Sequence, residues 1–371
     1  MQEQNILKAS DGYKELDDYF VENQVKKVLL VCDMSISFLK LNHYFETLEE
    51  RIGVKVIRFS DFNPNPLYES VVKGVEVFIK ESCDMIAVVG GGSAMDVAKC
   101  IKLYANMDHT GNYLEQEIVP NDIRILALPT TAGTGSEATR YAVIYYKGEK
   151  QSVADYSCIP DTVLMDSSVL RTLPLYQKKA TMMDAFCHAI EAYWSVNATK
   201  ESQQYSKEAI QLIIANWKLY LENDDIGNEN MLRAANIAGK AINITQTTAG
   251  HAMCYKLTSL YGIAHGHAAA LCVSGLWPFM LQNTEKCIDS RGMEYLQNVF
   301  EEIAEAMGCA DSKEAVECFK DIVNELALEI PQAKEEDLVL LKGSVNTVRL
   351  KNHPVKLMEE DIEKIYRGIL G

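Results

Sequence analysis

The sequence lacks the features that mark secreted, disulfide-linked or membrane-spanning proteins. Its ten cysteines are scattered and include no C-x-x-C pair, which favours free thiols in a reducing compartment. No apolar run reaches the ~18–20 residues of a membrane span. The first residues, Met1–Asn5, lack the basic and apolar regions of a signal peptide. We therefore expect a cytoplasmic protein without a membrane partner.

The chain also has fewer basic than acidic residues. The chain has 36 Lys and Arg against 52 Asp and Glu, which gives a net charge of −16. This balance argues against nucleic acid or an anionic membrane as the main partner, although a local basic pocket for a small anion stays open. Hydrophobic residues make up 48% of the 371 positions, enough for large cores in two domains.

Short apolar segments alternate with helical segments in the first half of the chain. Strands are predicted at 27–33, 54–59, 85–89, 123–129, 141–146 and 162–165, with a turn at 147–150. Helices are predicted at 11–25, 44–52, 68–82 and 94–104. Such alternation indicates a parallel sheet covered on both faces. After Pro174 only helical patterns remain, so we predict an α/β domain over 1–173 and an all-α domain over 174–371.

A glycine-rich loop follows the strand at 85–89. Its glycines would let the backbone approach a pyrophosphate, and the helix that follows offers free N–H groups. The candidate contacts are Gly91, Gly92, Ser93 and Asp96. The segment is not the G-x-G-x-x-G fingerprint, and a tight strand–helix turn is an equally good interpretation.

A second loop, at 130–136, follows the strand at 123–129 and mixes hydroxyls with glycines. It would donate hydrogen bonds to phosphate or ribose, although a lone Thr/Gly loop is usually only a loop. Its candidate residues are Thr130, Thr131, Thr134 and Ser136. Two such loops at the carboxyl ends of parallel strands indicate one crevice for a dinucleotide.

Asp33 ends the first predicted strand. A carboxylate there accepts from a ribose hydroxyl and repels a 2′-phosphate, which favours NAD(H) over NADP(H). The alternative is a turn or helix N-cap residue.

Four residues have the composition of a metal site. Asp184 and His188 lie four residues apart in a predicted helix, and therefore on one face of it. Taken alone, such a pair is more often a surface ion pair. With His251 and His265 it would provide one carboxylate and three imidazoles, which can hold a divalent metal and leave a position open for substrate. A metal beside a nicotinamide indicates hydride transfer.

Three further groups would lie near that site, namely Arg140, Lys256 and His267. Each is individually more often a solvated or structural group. Together they would form a pocket for an anionic head group of the substrate.

Together these stretches resemble the iron-containing, group III, alcohol dehydrogenases over nearly the whole chain. The resemblance is carried by residues 90–99, 129–137, 184–191, 250–253 and 265–266, and by a C-terminal signature at 344–355 that includes Asn346. It implies a dehydroquinate synthase-like fold with an N-terminal dinucleotide-binding domain and a helical domain that carries Fe(II) or Zn(II). It also implies that Lys150 approaches the cofactor, and we expect a homodimer.

The chain departs from the family pattern near the third metal ligand. Many members have a further histidine four residues after it, whereas this chain has Tyr255 followed by Lys256. With Arg140 and His267, these residues are similar to the phosphonoacetaldehyde reductase branch. We therefore predict reduction of a short aldehyde with an anionic tail, phosphonate first and sulfonate or carboxylate next, with Arg140, Tyr255 and Lys256 at the substrate and His267 as proton donor. Two alternatives stay open: an alcohol dehydrogenase for neutral substrates such as lactaldehyde, 1,2-diols or butanal, and a sugar-phosphate lyase or synthase.

Overall fold

The computed structural model describes residues 4–345 and 347–371, which form two compact units. Unit 1 consists of Met1–Thr131 and Gly135–Leu173. Unit 2 consists of Ala132–Thr134 and Pro174–Gly371. The second predicted cofactor loop is thus divided between the two units. Asn346 lies outside the described residues.

A six-stranded parallel sheet forms the centre of unit 1. Its order is β1-β8-β5-β4-β2-β3. The strands are β1 (Asn5–Lys8), β2 (Lys27–Cys32), β3 (Lys55–Phe59), β4 (Met85–Gly90), β5 (Arg124–Pro129) and β8 (Thr162–Met165). Every residue of β4 is buried, as expected for a central strand covered on both faces. The parallel sheet predicted from the apolar runs is confirmed.

A separate antiparallel hairpin in unit 1 consists of β6 (Tyr141–Tyr146) and β7 (Glu149–Ala154). The sequence prediction missed β7 and extended the turn to Lys150, whereas the turn residues Lys147 and Gly148 already complete it. Both turn residues have positive φ, as a tight hairpin turn requires. Lys150 lies in β7, opposite Tyr145.

Five α-helices complete the described part of unit 1. They are α1 (Lys14–Glu22), α2 (Lys40–Glu46), α3 (Leu48–Ile52), α4 (Tyr68–Glu81) and α5 (Gly92–Tyr104). The single helix predicted over 44–52 is wrong, because the chain forms two helices that break at Thr47. The predicted helix at 11–25 is shorter at both ends, since Tyr13 adopts a left-handed conformation before α1 and Gln24 adopts one after it.

The order of the strands places a topological switch point between β2 and β4. From β2 the chain moves to β3 on one side of the sheet and to β4 and β5 on the other. Ligands of open α/β sheets bind at the carboxyl edge beside such a point. Asp33, Gly91 and Thr130 directly follow β2, β4 and β5, so three predicted cofactor residues lie side by side at this edge.

Unit 2 is helical throughout its described residues. Its helices are α6 (Leu175–Trp194), α7 (Lys200–Leu221), α8 (Asp225–Thr245), α9 (Ala249–Tyr261), α10 (His265–Gln282), α11 (Met293–Met307), α12 (Ser312–Glu325), α13 (Glu335–Gly343), α14 (Thr347–Leu350) and α15 (Glu359–Ile369). Nearly all of α6 from Met182 to Trp194 is buried, which makes it the central helix of the unit. Nowhere in the described ranges is a helix long and apolar enough to cross a membrane.

Candidate active site

The candidate cofactor site is the carboxyl edge of the sheet in unit 1. The Thr130 backbone N–H donates to the Gly90 carbonyl oxygen at 3.1 Å, which holds the two predicted cofactor loops together. A Cβ added to Gly91 would lie 3.3 Å from the Thr131 side chain. Only a glycine leaves this space between the loops open, in agreement with the role proposed for it from sequence.

Helix α5 begins at this edge without a side-chain cap. Its first N–H groups, starting at Gly92, have no partner within the helix, which is the arrangement that binds phosphate at helix N-termini. The Ser93 hydroxyl accepts from the Asn65 N–H at 3.4 Å. These residues therefore fit the diphosphate of a dinucleotide.

The Asp33 carboxylate has a structural role. Its Oδ1 accepts from the Ser35 N–H at 2.8 Å and caps a short 3-10 helix, Met34–Phe38, so the capping alternative raised from sequence is present. Its Oδ2 lies 3.8 Å from the position of a Cβ built on Gly90. One oxygen of Asp33 thus faces the switch point while the other caps the turn.

A buried cluster lies behind the second loop in unit 1. Lys99 is fully buried and donates from Nζ to Ser136 Oγ, Thr139 Oγ1 and the Tyr141 carbonyl oxygen at 3.0, 3.1 and 2.8 Å. Burial raises the pKa of Asp96 to about 6, against the opposing effects of Lys99, the Val143 N–H, Ser136 and Lys150. Three residues predicted as cofactor contacts, Asp96, Ser136 and Lys150, are therefore neighbours.

A separate group of candidate metal-ligand side chains lies in unit 2. Asp184 and His188 lie on one face of α6, and His251 lies in the first turn of α9. All three are buried, and one potential ligand atom from each lies within 4.8 Å of the others. Asp184 Oδ1 is 3.4 Å from His251 Nε2 and 3.9 Å from His188 Nε2. A surface ion pair is thus excluded for Asp184 and His188.

The charges of the group suit a cation. Although burial would raise it, the pKa of Asp184 is held well below its usual range by His188, His251 and His265. Burial lowers the pKa of His188 to about 4, so its imidazole is neutral at pH 7. The His188 and His251 rings stack at 4.5 Å between centroids with an angle of 14°. Although burial would lower it, the Glu191 and Asp184 carboxylates raise the pKa of His251 to about 9. A carboxylate facing imidazole groups in a buried site fits a divalent metal, which would take the place of the proton on His251.

His265 is the first residue of α10 and lies beside this group. Its ring is 5.3 Å from that of His251 and 5.3 Å from that of Tyr255, on which it stacks at 20°. Its Nδ1 is 3.5 Å from the Cys254 sulfur. His265 therefore borders the three-residue cluster, and its coordination to a metal stays a prediction.

The predicted substrate residues are spread over both units. Arg140, in unit 1, contacts the Tyr156 hydroxyl and lies over the rings of Tyr141 and Tyr156 at 4.9 and 4.5 Å. Lys256 is partly exposed on α9. His267 is buried, with Nδ1 3.1 Å from the Tyr176 hydroxyl, and burial lowers its pKa.

Two residues that sequence reasoning gave no role lie close to the metal-ligand group. The Glu191 carboxylate is fully buried and accepts from His251 Nδ1. Burial raises the pKa of Tyr255, and the positive charge of Arg349 partly offsets this increase. Glu191 lies seven residues after Asp184, and this helical spacing is the signal that could have identified it. Arg349 lies in the C-terminal signature.

The comparison with known proteins agrees with this combination of a dinucleotide edge and a metal-ligand group. Residues 4–167 match the family of iron-containing alcohol dehydrogenases, and residues 178–370 match the C-terminal region of the same family. The chain belongs to the iron-containing alcohol dehydrogenase family. The prediction of an enzyme of the alcohol dehydrogenase class is therefore confirmed.

Individual relatives span most of the chain. It is 34% identical to 1,3-propanediol dehydrogenase of Citrobacter freundii over 71% of this chain and 70% of the relative. It is 29% identical to alcohol dehydrogenase 4 of Schizosaccharomyces pombe over 93% and 82% of the two chains. The solved structure of sulfoacetaldehyde reductase from Bifidobacterium kashiwanohense in complex with NAD+ superposes with a TM-score of 0.88, at 24% identity, covering 100% of this chain and 97% of that one. This likeness confirms the fold.

Proposed function

We propose that the protein is a metal-dependent, NAD(H)-linked oxidoreductase that interconverts a short aldehyde and its primary alcohol. The observation that carries this proposal is the buried group of Asp184, His188 and His251 within a chain of this family. Family membership favours net oxidation and reduction over the lyase or synthase alternative.

Unit 1 is proposed as the dinucleotide-binding domain and unit 2 as the metal and substrate domain, with the boundary after Leu173. The uncapped start of α5 and Gly91, Gly92 and Ser93 would hold the diphosphate of the cofactor. Asp33 Oδ2 would accept from a ribose hydroxyl, which favours NAD(H) over NADP(H). The cofactor supplies the hydride when bound. Homodimer formation remains an expectation from the family and from base rates.

Asp184, His188, His251 and His265 are proposed to hold one divalent metal, Fe(II) or Zn(II). Such a metal supplies Lewis-acid polarisation of a carbonyl group. The protein's own contribution is to keep the donor atoms dry and fixed. Both the Asp184 and the His251 side chains are at least 96% buried, and in such surroundings their electrostatic effect on a reacting carbonyl is strong.

We propose an anionic tail on the aldehyde. The sequence predicts that Arg140, Lys256 and His267 bind it, and Arg349 is a further cation near the predicted substrate residue Tyr255 in unit 2. Guanidinium groups bind phosphonate and sulfonate oxygens in pairs of hydrogen bonds. The relative with a solved structure that is named a sulfoacetaldehyde reductase supports this substrate class. The relative named 1,3-propanediol dehydrogenase supports the alternative of a neutral substrate.

The test is NADH oxidation by protein loaded with a defined metal, with phosphonoacetaldehyde, sulfoacetaldehyde, lactaldehyde and propanal compared. We expect Arg349→Gln and Arg140→Gln to raise the KM of the charged aldehydes about 10- to 100-fold, as the loss of a charge-assisted pair implies. The KM of propanal should stay within about twofold, since it makes no such pair. Lys218→Gln, an exposed change on α7, is the control. Equal losses on charged and neutral aldehydes would exclude an anion pocket at these residues.

A further inference from the structure

The Glu191 carboxylate is surrounded by hydrogen-bond donors. Its Oε1 accepts from Thr248 Oγ1 at 2.6 Å and from the Gly250 N–H at 2.7 Å. The His251 N–H lies 3.3–3.4 Å from both oxygens. Oε2 also accepts from His251 Nδ1. None of the side chain is exposed to solvent.

These contacts place Glu191 at the N-terminus of α9, although it belongs to α6. Thr248 is the N-cap residue of α9, but its side chain does not cap the helix. Its hydroxyl instead donates to Glu191 and accepts from Trp194 Nε1 at 2.9 Å. The carboxylate from α6 takes the place of the cap. It satisfies the first N–H groups of α9 and lies at the positive end of the helix dipole.

Gly250 leaves the space in which the Glu191 carboxylate approaches α9. A Cβ at Gly250 would lie 2.8 Å from Glu191 Oε1 and 2.7 Å from Val273 Cγ2. Any larger residue at this position would separate the carboxylate from α9. Gly250 thus permits the contact on which the orientation of the neighbouring His251 depends.

We propose that Glu191 is the positioning residue of the metal centre. By accepting from Nδ1–H of His251, it leaves Nε2, which lies 3.4 Å from Asp184 Oδ1, as the nitrogen that would bind the metal. Carboxylates that hold the second nitrogen of a metal-ligating histidine orient the ring and increase its basicity. This inference rests on the metal centre of the proposed function, and it assigns a role to a residue that would not itself touch the metal.

Glutamine cannot replace this carboxylate. The atoms around Glu191 are all donors: Thr248 Oγ1–H, two backbone N–H groups and His251 Nδ1–H. An amide NH2 at either oxygen position would face a donor. If the NH2 group faced His251, Nδ1 would have to become the acceptor and Nε2 would carry the proton, which prevents it from binding a metal.

The experiment compares the full-length wild type with Glu191→Gln, Glu191→Ala, Thr248→Val and Thr248→Ser. Metal affinity is measured with Co(II) and Zn(II) by competition with a chelator. The tautomer of His251 in metal-free protein is read at alkaline pH, where the ring carries a single proton, from the nitrogen shifts of 15N-labelled histidine, assigned with a His251→Ala variant. The thermal midpoint of each metal-free variant shows whether the substitution acts only by destabilising the fold. Glu302→Gln is the matched control, since Glu302 accepts from Tyr193 of the same helix at 3.1 Å outside the metal-ligand group.

We expect both Glu191 variants to bind metal about 10- to 100-fold more weakly than wild type. In Glu191→Gln, Nδ1 of His251 should lose its proton. Thr248→Val, which loosens Glu191 without removing it, should weaken binding less, and Thr248→Ser should restore it. Glu302→Gln should bind as wild type does. If the Glu191 variants do not fold, the comparison of metal affinity between Thr248→Val and Thr248→Ser tests the positioning role.

Two results would overturn the inference. Unchanged affinity and an unchanged tautomer in Glu191→Gln, or equal affinity of Thr248→Val and Thr248→Ser, would reject the positioning role and leave the proposed function intact. Failure of the wild-type protein to bind any divalent metal would reject the metal centre and with it both proposals.

Discussion

Lys99 Nζ lies 3.0 Å from Ser136 Oγ, and this contact joins helix α5 to the end of the second cofactor loop. The same ammonium group also donates to Thr139 Oγ1 and to the Tyr141 carbonyl oxygen. A buried lysine with three oxygen partners is costly to disturb, because each partner would be left without its donor. The lysine therefore fixes the loop that is proposed to meet the cofactor.

Lys99→Met should lower the free energy of unfolding by about 2–4 kcal/mol, since it removes three buried hydrogen bonds. We also expect NADH to bind more weakly, because the loop at Ser136 loses its anchor. Chemical denaturation and NADH fluorescence titration measure the two effects. Lys73→Met removes an exposed ion pair with Asp61 and should change stability far less, since solvent screens such pairs. Comparable effects of the two substitutions would contradict the role given to Lys99.

Asp96 should make stability depend on pH in an unusual direction for a carboxyl group. Burial raises its pKa from 3.8 to about 6 in the folded protein. Between these values the folded state holds the proton more firmly than the unfolded state, so stability falls as pH rises from about 4 to about 6 and is constant above. The free energy of unfolding of wild type relative to Asp96→Asn should fall by about 1–3 kcal/mol over this interval. If the free energies of unfolding of wild type and Asp96→Asn change in parallel across pH 4–7, the prediction of a raised pKa for Asp96 is contradicted.

Gly266→Ala should disrupt the metal-ligand group without replacing any of the proposed ligands. A Cβ at Gly266 would lie 2.0 Å from the Ala180 carbonyl oxygen and 2.6 Å from Asp184 Cβ. Helix α10 would have to move away from α6, at a cost of about 1–3 kcal/mol, and His265 would move with it. Metal content after dialysis and the thermal midpoint should both fall. Gly343→Ala, at the end of α13 with no atom within 4 Å of the new Cβ, should be neutral.

His265→Ala tests the fourth proposed ligand. We expect metal affinity to fall by more than the roughly 10- to 100-fold that loss of a supporting interaction costs, because a proposed ligand is itself removed. His267→Ala is the matched control, because His267 lies two residues further along α10 and faces the Tyr176 hydroxyl. It should retain the metal but reduce kcat if His267 donates the proton. Loss of metal affinity in His267→Ala alone would reverse the two assignments.

The buried strands and long helices could be predicted from sequence because their patterns are local. Strands β2, β4 and β5 are continuous apolar runs, and the helices of unit 2 follow helical spacing. Strand β1 gave no such signal, since its four residues are mostly exposed and its partner is Thr162–Met165, far along the chain. Strand β7 is largely polar and pairs with β6. Both are specified by their partners more than by their own residues.

The metal-ligand residues could be proposed because Asp184 and His188 are four residues apart and histidine is scarce in this chain. Glu191 could not be assigned in the same way, because a glutamate in a helix is usually exposed. Its burial depends on how α6 and α9 pack. Arg140 shows the opposite case: its basic side chain indicated a role in anion binding, and in the structure its guanidinium group also packs on two tyrosine rings.

Burial at the metal-ligand group also bears on which metals the protein would accept. Cys187 lies between Asp184 and His188 in sequence, and Cys272 lies in α10. Burial raises the pKa of both thiols well above the usual value, so neither is a thiolate at neutral pH. A thiol is a poor ligand and a poor nucleophile. The carboxylate and imidazole side chains proposed as ligands are oxygen and nitrogen donors, which disfavours soft ions such as Cu(I) and leaves borderline divalent ions to compete through supply and geometry.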